Sequence, residues 1–203
     1  MPNIIELNKI KKIFKDEFEL NVDYLKLSNE YIYYLSGDNG SGKSVLLRII
    51  GDIDTNYEGI KKSSVNKSRI LYLTNSEISF PYLTLRENIE LFESIYSMEI
   101  NESKKYILYS DNQINRLSIE SSLGMKTKVG LSMLLKNNFW DLIILDETIS
   151  AIDQNSRKTI MYELEERLKE GSIILITTHD DLDLASEKIK KIFINNGEVY
   201  EKK

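Results

Sequence analysis

The sequence predicts an α/β domain built on a largely parallel sheet, and three observations lead there. Leu142–Leu145 and Ser172–Thr177 are short, apolar runs with the length and composition of strands buried on both faces. A helical stretch with signals at both ends separates them, so the unit reads strand-helix-strand. A third apolar run, Tyr31–Leu35, leads through a glycine-rich turn, 37–42, into another helical stretch.

Taken in order, Ile4–Leu7, Phe18–Val22 and Tyr31–Leu35 are rich in Ile, Leu and Tyr, are broken by Asn, Asp and Lys, and read as strands. Ser44–Ile50 has the length and apolar content of a helix, and Arg69–Leu73 reads as a further buried strand. From Leu83 to about Leu135 apolar residues recur at spacings of three and four, as at Leu85, Ile89, Phe92 and Ile95, which predicts a helical insert. After Leu142–Leu145, Asp153 is an expected N-cap. Ile160, Met161, Leu164 and Leu168 form an apolar stripe, and Gly171 falls where a C-terminal cap belongs. Asn196-Gly197 between Ile192–Ile194 and Val199-Tyr200 predicts a terminal hairpin. The expectation is one domain over 1–203, with a core of about 1–80 and 136–203 and an insert of about 81–135.

Composition removes several classes of function. The 203 residues contain no cysteine, which excludes thiol catalysis, disulfide frameworks and cysteine zinc sites. A single histidine, His179, leaves no histidine-cluster metal site. The net charge of −5 has the wrong sign for a nucleic-acid binder. Lysine pairs (Lys11/Lys12, Lys61/Lys62, Lys104/Lys105, Lys190/Lys191) read as solvated faces. The start of the chain lacks the pattern of a signal peptide, and its four-residue apolar runs fall far short of the ~20 residues a span requires. A cytosolic protein that spans nothing is expected.

Two motifs carry chemistry. Gly37-Asp38-Asn39-Gly40-Ser41-Gly42-Lys43-Ser44 fits the phosphate-loop pattern, between a strand and a helix as its mechanism requires. Glycines let successive backbone N–H groups curl round an anion, and the following helix adds the positive end of its dipole. Lys43 is placed to reach the β- and γ-phosphates, and the Ser44 hydroxyl to ligate Mg²⁺. The second motif is Leu142–Leu145 followed by Asp146-Glu147, an apolar strand ending in two carboxylates. Beside a phosphate loop, Asp146 can hold Mg²⁺ and Glu147 can orient or deprotonate an attacking water.

The order of these pieces resembles the nucleotide-binding domain of ABC transporters over nearly the whole chain. Arg69–Asn75 followed by Phe80–Asn88 looks like that family's Q-loop and the start of its helical subdomain. Ser121–Lys126 sits where the family places its signature sequence, Ser150–Asp153 looks like its D-loop, and Ile174–Asp180 like its switch-histidine segment. Phe14 stands where the family keeps an aromatic that stacks on adenine. The resemblance implies a P-loop NTPase (RecA-like) core with a mostly parallel sheet, an antiparallel β-subdomain and an inserted helical subdomain. It also implies two copies sandwiching two ATP molecules, with ATP and Mg²⁺ held by residues 37–45, Val45 included. The partner's Ser122 and Gly124 would contact the γ-phosphate, as would His179 from the same chain, and Asp153 would cross the dimer seam. Asn75 would sense the metal.

Several positions depart from the family pattern. Asn75 replaces a glutamine and is one methylene short, about 1.5 Å. Leu123 and Met125 replace a glycine and a glutamine of the signature, a form that resembles peptide-antibiotic resistance and antibiotic-exporter ATPases. Val45 removes a hydroxyl from the α-phosphate contact. Thr148 replaces the proline after the catalytic glutamate, a change expected to matter little if the backbone path holds. Phe80, Pro81 and Tyr82 are candidates to line the groove that, in the family, receives a helix of the membrane subunit.

The resulting expectation is an ATPase subunit, peripheral on the inner face of the cell membrane. It would form a homodimer, or a heterodimer with a related ATPase, on a separately encoded integral membrane permease, and it would bind no nucleic acid. Two rivals are a nucleotide-gated dimerisation switch (or degenerate half of a heterodimer) and a soluble relative acting on ribosomes or DNA.

Overall fold

A computed structural model describes residues 2–14, 18–76, 78–178 and 188–201. The strands are β1 (Ile4–Ile13), β2 (Glu19–Ser28), β3 (Ile32–Ser36), β4 (Glu58–Ser63), β5 (Ile70–Thr74), β6 (Leu142–Asp146), β7 (Ile173–Thr177), β8 (Ile189–Asn195) and β9 (Glu198–Glu201). The helices are α1 (Lys43–Ile50), α2 (Leu85–Tyr96), α3 (Asp111–Ile114), α4 (Leu123–Ser132) and α5 (Gln154–Lys169), with short 3₁₀ turns between several elements.

Among the described residues, nine strands join one mixed sheet in the order β4-β1-β2-β9-β8-β3-β7-β6-β5. Strands β8, β3, β7, β6 and β5 run parallel, which is the predicted core. At the other edge β1 pairs antiparallel with β2 and β4, and β8 pairs antiparallel with β9. The β8–β9 turn holds Asn196 at φ 48° and Gly197 at φ 80°, the left-handed pair that a two-residue hairpin requires.

Burial on both faces explains why β6 and β7 are apolar at every position before their tips. Leu142, Ile144, Ile173 and Leu175 face one core with Leu46, Leu47, Ile49 and Ile50 of α1. Ile143, Leu145, Ile174 and Ile176 face a second core with Ile160 and Leu164 of α5 and Val129 and Leu131 of α4. α5 begins at Asp153, whose carboxylate accepts from the Ser156 N–H (3.0 Å), so the expected cap is present. Gly171 follows its last turn at φ 100°.

Three readings need correction. Strand β4 was missed because Glu58–Ser63 carries almost no apolar residue: it is an edge strand exposed on both faces. Within 83–135, α2 and α4 are helices, whereas 97–110 is mostly turns around Met98, Ile100 and Leu108. The lysine pairs are not uniformly solvated. Lys61 is largely buried and donates to the Ile49 and Ile50 carbonyls and to Asp52, satisfying the C-terminal end of α1. Lys105 is buried against Glu93 at 2.6 Å, and Lys12 pairs with Asp54 at 2.8 Å. Among the described residues, no helix is long and apolar enough to cross a membrane.

Candidate functional site

The site lies beyond the C-terminal ends of the parallel strands, where open α/β sheets bind ligands. Ser36 ends β3, the glycine-rich loop follows, and Lys43 starts α1. In-register pairing sets Thr74, Asp146 and Thr177 side by side at the tips of β5, β6 and β7. The strand-to-helix loop and the carboxylate pair after β6 thus gather at one end of the sheet, where Glu147 shares a cleft with the loop, because neighbouring parallel strands end at the same level.

That cleft has a volume of about 340 Å³ and is lined by Phe14, Phe18, Asn39, Gly40, Gly42, Lys43, Ser44, Val45 and Glu147. Gly40 and Gly42 have φ of 79° and 106°, a region that side-chain-bearing residues enter only under strain. A Cβ on Gly40 would meet nothing within 4 Å, leaving its backbone open to the cleft, whereas one on Gly42 would lie 2.9 Å from Phe18 Cζ. Lys43 Nζ donates to the carbonyls of Gly37 (2.7 Å) and Asp38 (2.9 Å), folding back over its own loop. The Ser41 hydroxyl is buried with no hydrogen-bond partner among the described residues. An orphaned donor, an open glycine, an ammonium and the N-terminus of α1 together suit a polyphosphate.

Asp146 is buried at the tip of β6 (8% exposed). Its Oδ1 accepts from Thr177 Oγ1 at 2.7 Å, and its Oδ2 lies 3.5 Å from the Tyr72 hydroxyl. Burial, and then the neighbouring Asp146 charge, push the Tyr72 phenol well above its ordinary value, so it remains a neutral donor. Glu147 has φ 56°, left-handed for a residue with a side chain, at a cost of about 1–2 kcal/mol. Its N–H bonds both the carbonyl (3.1 Å) and the hydroxyl (2.9 Å) of Thr177. Thr148, buried behind it, donates to the Leu73 (3.2 Å) and Asp146 (3.4 Å) carbonyls. Thr148 therefore ties the carboxylate turn to β5. With Ser44 and Asp146 as oxygen donors near a polyphosphate cradle, the set suits a hard divalent cation such as Mg²⁺.

The remaining predicted residues divide. Phe14 and Phe18 form a tilted aromatic pair, centroids 5.8 Å apart at 52°, on the cleft wall. Asn75 is exposed just after β5 and does not line the cleft. Ser122 caps α4 through the Met125 N–H (3.3 Å), is exposed and does not line the cleft. A Cβ on Gly124 would come within 2.6 Å of the Ala151 carbonyl, so the signature segment rests on the D-loop-like turn. The Asp153 carboxylate caps α5 and pairs with Lys128 of α4 at 2.5 Å. The Lys128 ammonium first, and the Ser156 N–H after it, hold Asp153 well below the usual carboxylate range. His179 lies outside the described residues. A larger cleft, about 1160 Å³, lies between the end of α2 and residues 135–139 and contains none of the predicted site residues.

Phe18, Tyr72 and Thr177 were not anticipated. Each sits in a run that reads as a strand, where an aromatic ring or a threonine reads as core; strand register brings Tyr72 and Thr177 to Asp146, and Phe18, just before β2, packs against Gly42 on the cleft wall.

The family described as ABC transporter matches residues 20–150. The chain is 32% identical over 179 residues to the cytochrome c biogenesis ATP-binding export protein CcmA of Aliivibrio fischeri, covering 82% of this chain and 87% of that one. It is 31% identical to an uncharacterised ABC transporter ATP-binding protein of Haemophilus influenzae, covering 83% and 71%. It is 26% identical to the spermidine/putrescine import ATP-binding protein PotA of Acetivibrio thermocellus over 98% of this chain, and it spans about 60% of that relative's length. A solved dimeric ATP-binding cassette bound to ADP and Pi shares the fold, with a TM-score of 0.77 at 23% identity and 98% of each chain covered.

Proposed function

Because the chain belongs to the ABC transporter family, we propose that it is the ATPase subunit of a transporter, binding Mg²⁺-ATP at a dimer interface and coupling hydrolysis to movement of cargo by a separate membrane permease. One observation carries this reading: a glycine-rich loop with Lys43 and the carboxylates Asp146 and Glu147 converge at one sheet end.

Phe14 and Phe18 on the cleft wall offer faces for a nucleobase, and the glycine-loop N–H groups take the phosphates. Lys43 exchanges its loop carbonyls for β- and γ-phosphate oxygens, gaining charge-assisted bonds. Mg²⁺, held by Ser44 and Asp146, would neutralise charge on the transferred phosphoryl group. Glu147 orients and deprotonates the attacking water, and the left-handed turn at this residue fixes where its side chain leaves the strand. His179 contacts the γ-phosphate from the same chain, and the exposed Ser122, with Gly124 two residues on, completes the partner's site. Asn75 senses the metal once its loop shifts toward the cleft.

Export is the direction we favour, supported by the Ser122-Leu123-Gly124-Met125-Lys126 form and by the export protein among the relatives. The relatives include an importer by name as well, so no cargo is read from them. The subunit is placed on the inner face of the membrane, where ATP is available.

Phosphate release by the purified chain with Mg²⁺-ATP tests this directly. Wild type turns over, Lys43→Ala loses nucleotide binding, and Glu147→Gln keeps binding while turnover falls at least about 100-fold. Wild-type turnover in Glu147→Gln would overturn the role given to that carboxylate.

A further inference from the structure

We infer that Thr177 is a positioning residue for hydrolysis, its hydroxyl holding the Asp146 carboxylate and the Glu147 backbone in one arrangement. The inference rests on the reading of Asp146 and Glu147 given above.

Thr177 closes β7 after four apolar residues, Ile173–Ile176, and is 1% exposed. At a fully buried strand position valine would fill the same volume without a polar atom to satisfy, so the hydroxyl is what calls for an explanation. It makes two bonds of opposite sense. The Glu147 N–H can only donate, so Thr177 Oγ1 accepts there, at 2.9 Å. Its own proton is then available to Asp146 Oδ1, at 2.7 Å. The direction of both bonds is fixed by chemistry, leaving the hydroxyl no rotational choice.

Two consequences follow. Asp146 Oδ1 is engaged by a short bond within the protein, so the carboxylate cannot swing freely and its remaining lone pairs keep a constant direction for a metal. Glu147, held left-handed, is tied to the same hydroxyl as well as to the Thr177 carbonyl (3.1 Å), so Oγ1 links the backbone of the base directly to the metal-ligand carboxylate. Groups behind a metal ligand act in this way, and losing them typically costs about 10- to 100-fold in metal affinity or activity.

The test compares Thr177→Val with Thr177→Ser in the full chain by two readouts. One is steady-state ATP turnover; the other is Mn²⁺ affinity in the presence of a non-hydrolysable ATP analogue, followed by electron paramagnetic resonance. Thr177→Val is expected to lower kcat about 10- to 100-fold with KM little changed, and to weaken Mn²⁺ binding by a similar factor. Thr177→Ser restores both. Thr177→Ala carries the same expectation as Val should the valine variant not fold. Wild-type kcat and Mn²⁺ affinity in Thr177→Val would overturn the inference, as would a serine variant as impaired as valine, which would point to packing instead. A wild type that does not hydrolyse ATP would overturn the proposed function. Weakened Mn²⁺ binding by Thr177→Val would then still support the role of the hydroxyl, and unchanged binding would overturn it.

Discussion

Gly42 and Phe18 show how two residues far apart in the chain constrain one another. The φ of 106° already restricts Gly42, and the Phe18 ring 2.9 Å from its notional Cβ closes the space a side chain would need. Phe18 therefore buttresses the phosphate loop while offering its ring to the cleft. Phe18→Ala is expected to weaken binding of a fluorescent ATP analogue roughly 10-fold, the scale of losing one base-aromatic stack. Unchanged affinity in a titration would show that Phe14 alone serves the base. The phosphate loop was legible in the sequence because its chemistry is local: eight consecutive residues state it. Phe18 and Thr177 were not, since their roles arise from what the β1–β2 pairing and the β6–β7 register bring near them, and register is a non-local property. Asn75 shows the converse, a residue singled out by its position in a motif yet lying off the cleft.

At the scale of elements, charge explains what periodicity left open. Lys61 turns inward to close the C-terminal end of α1, and the edge strand that carries it had no apolar alternation to reveal it. The Asp153 cap was legible from a residue type that prefers that position; its ion pair with Lys128 was not, because α4 and α5 meet only in the fold. Together these bonds tie the signature helix to the turn before α5. Asp153→Ala should lower stability by about 1 kcal/mol from the lost cap, and by more from the unpaired, buried Lys128, read as a fall in Tm. The pH dependence has a definite sign. The folded carboxyl titrates below its unfolded value, so its stabilisation is complete above about pH 4 and is lost as pH falls through the folded value. The Tm gap between wild type and Asp153→Asn should therefore be widest near neutrality and narrow on acidification below pH 4. A gap independent of pH would contradict the ion-pair account.

For the molecule as a whole, the parallel core was legible because burial on both faces writes itself as unbroken apolar strands. The antiparallel edge came only with the resemblance, and the parallel β2–β9 contact that joins it to the core is a single register pair that leaves no local pattern. Ser122 and Gly124, the residues expected to close the cleft, do not line it within one chain, so their proposed role calls for a second copy. The most direct test is the solution mass of the Glu147→Gln variant by light scattering, with and without Mg²⁺-ATP. A rise from 23.6 kDa to about 47 kDa, twice the monomer, is the predicted result. A variant that binds ATP yet stays at the mass of one chain would contradict completion of the site by a second copy.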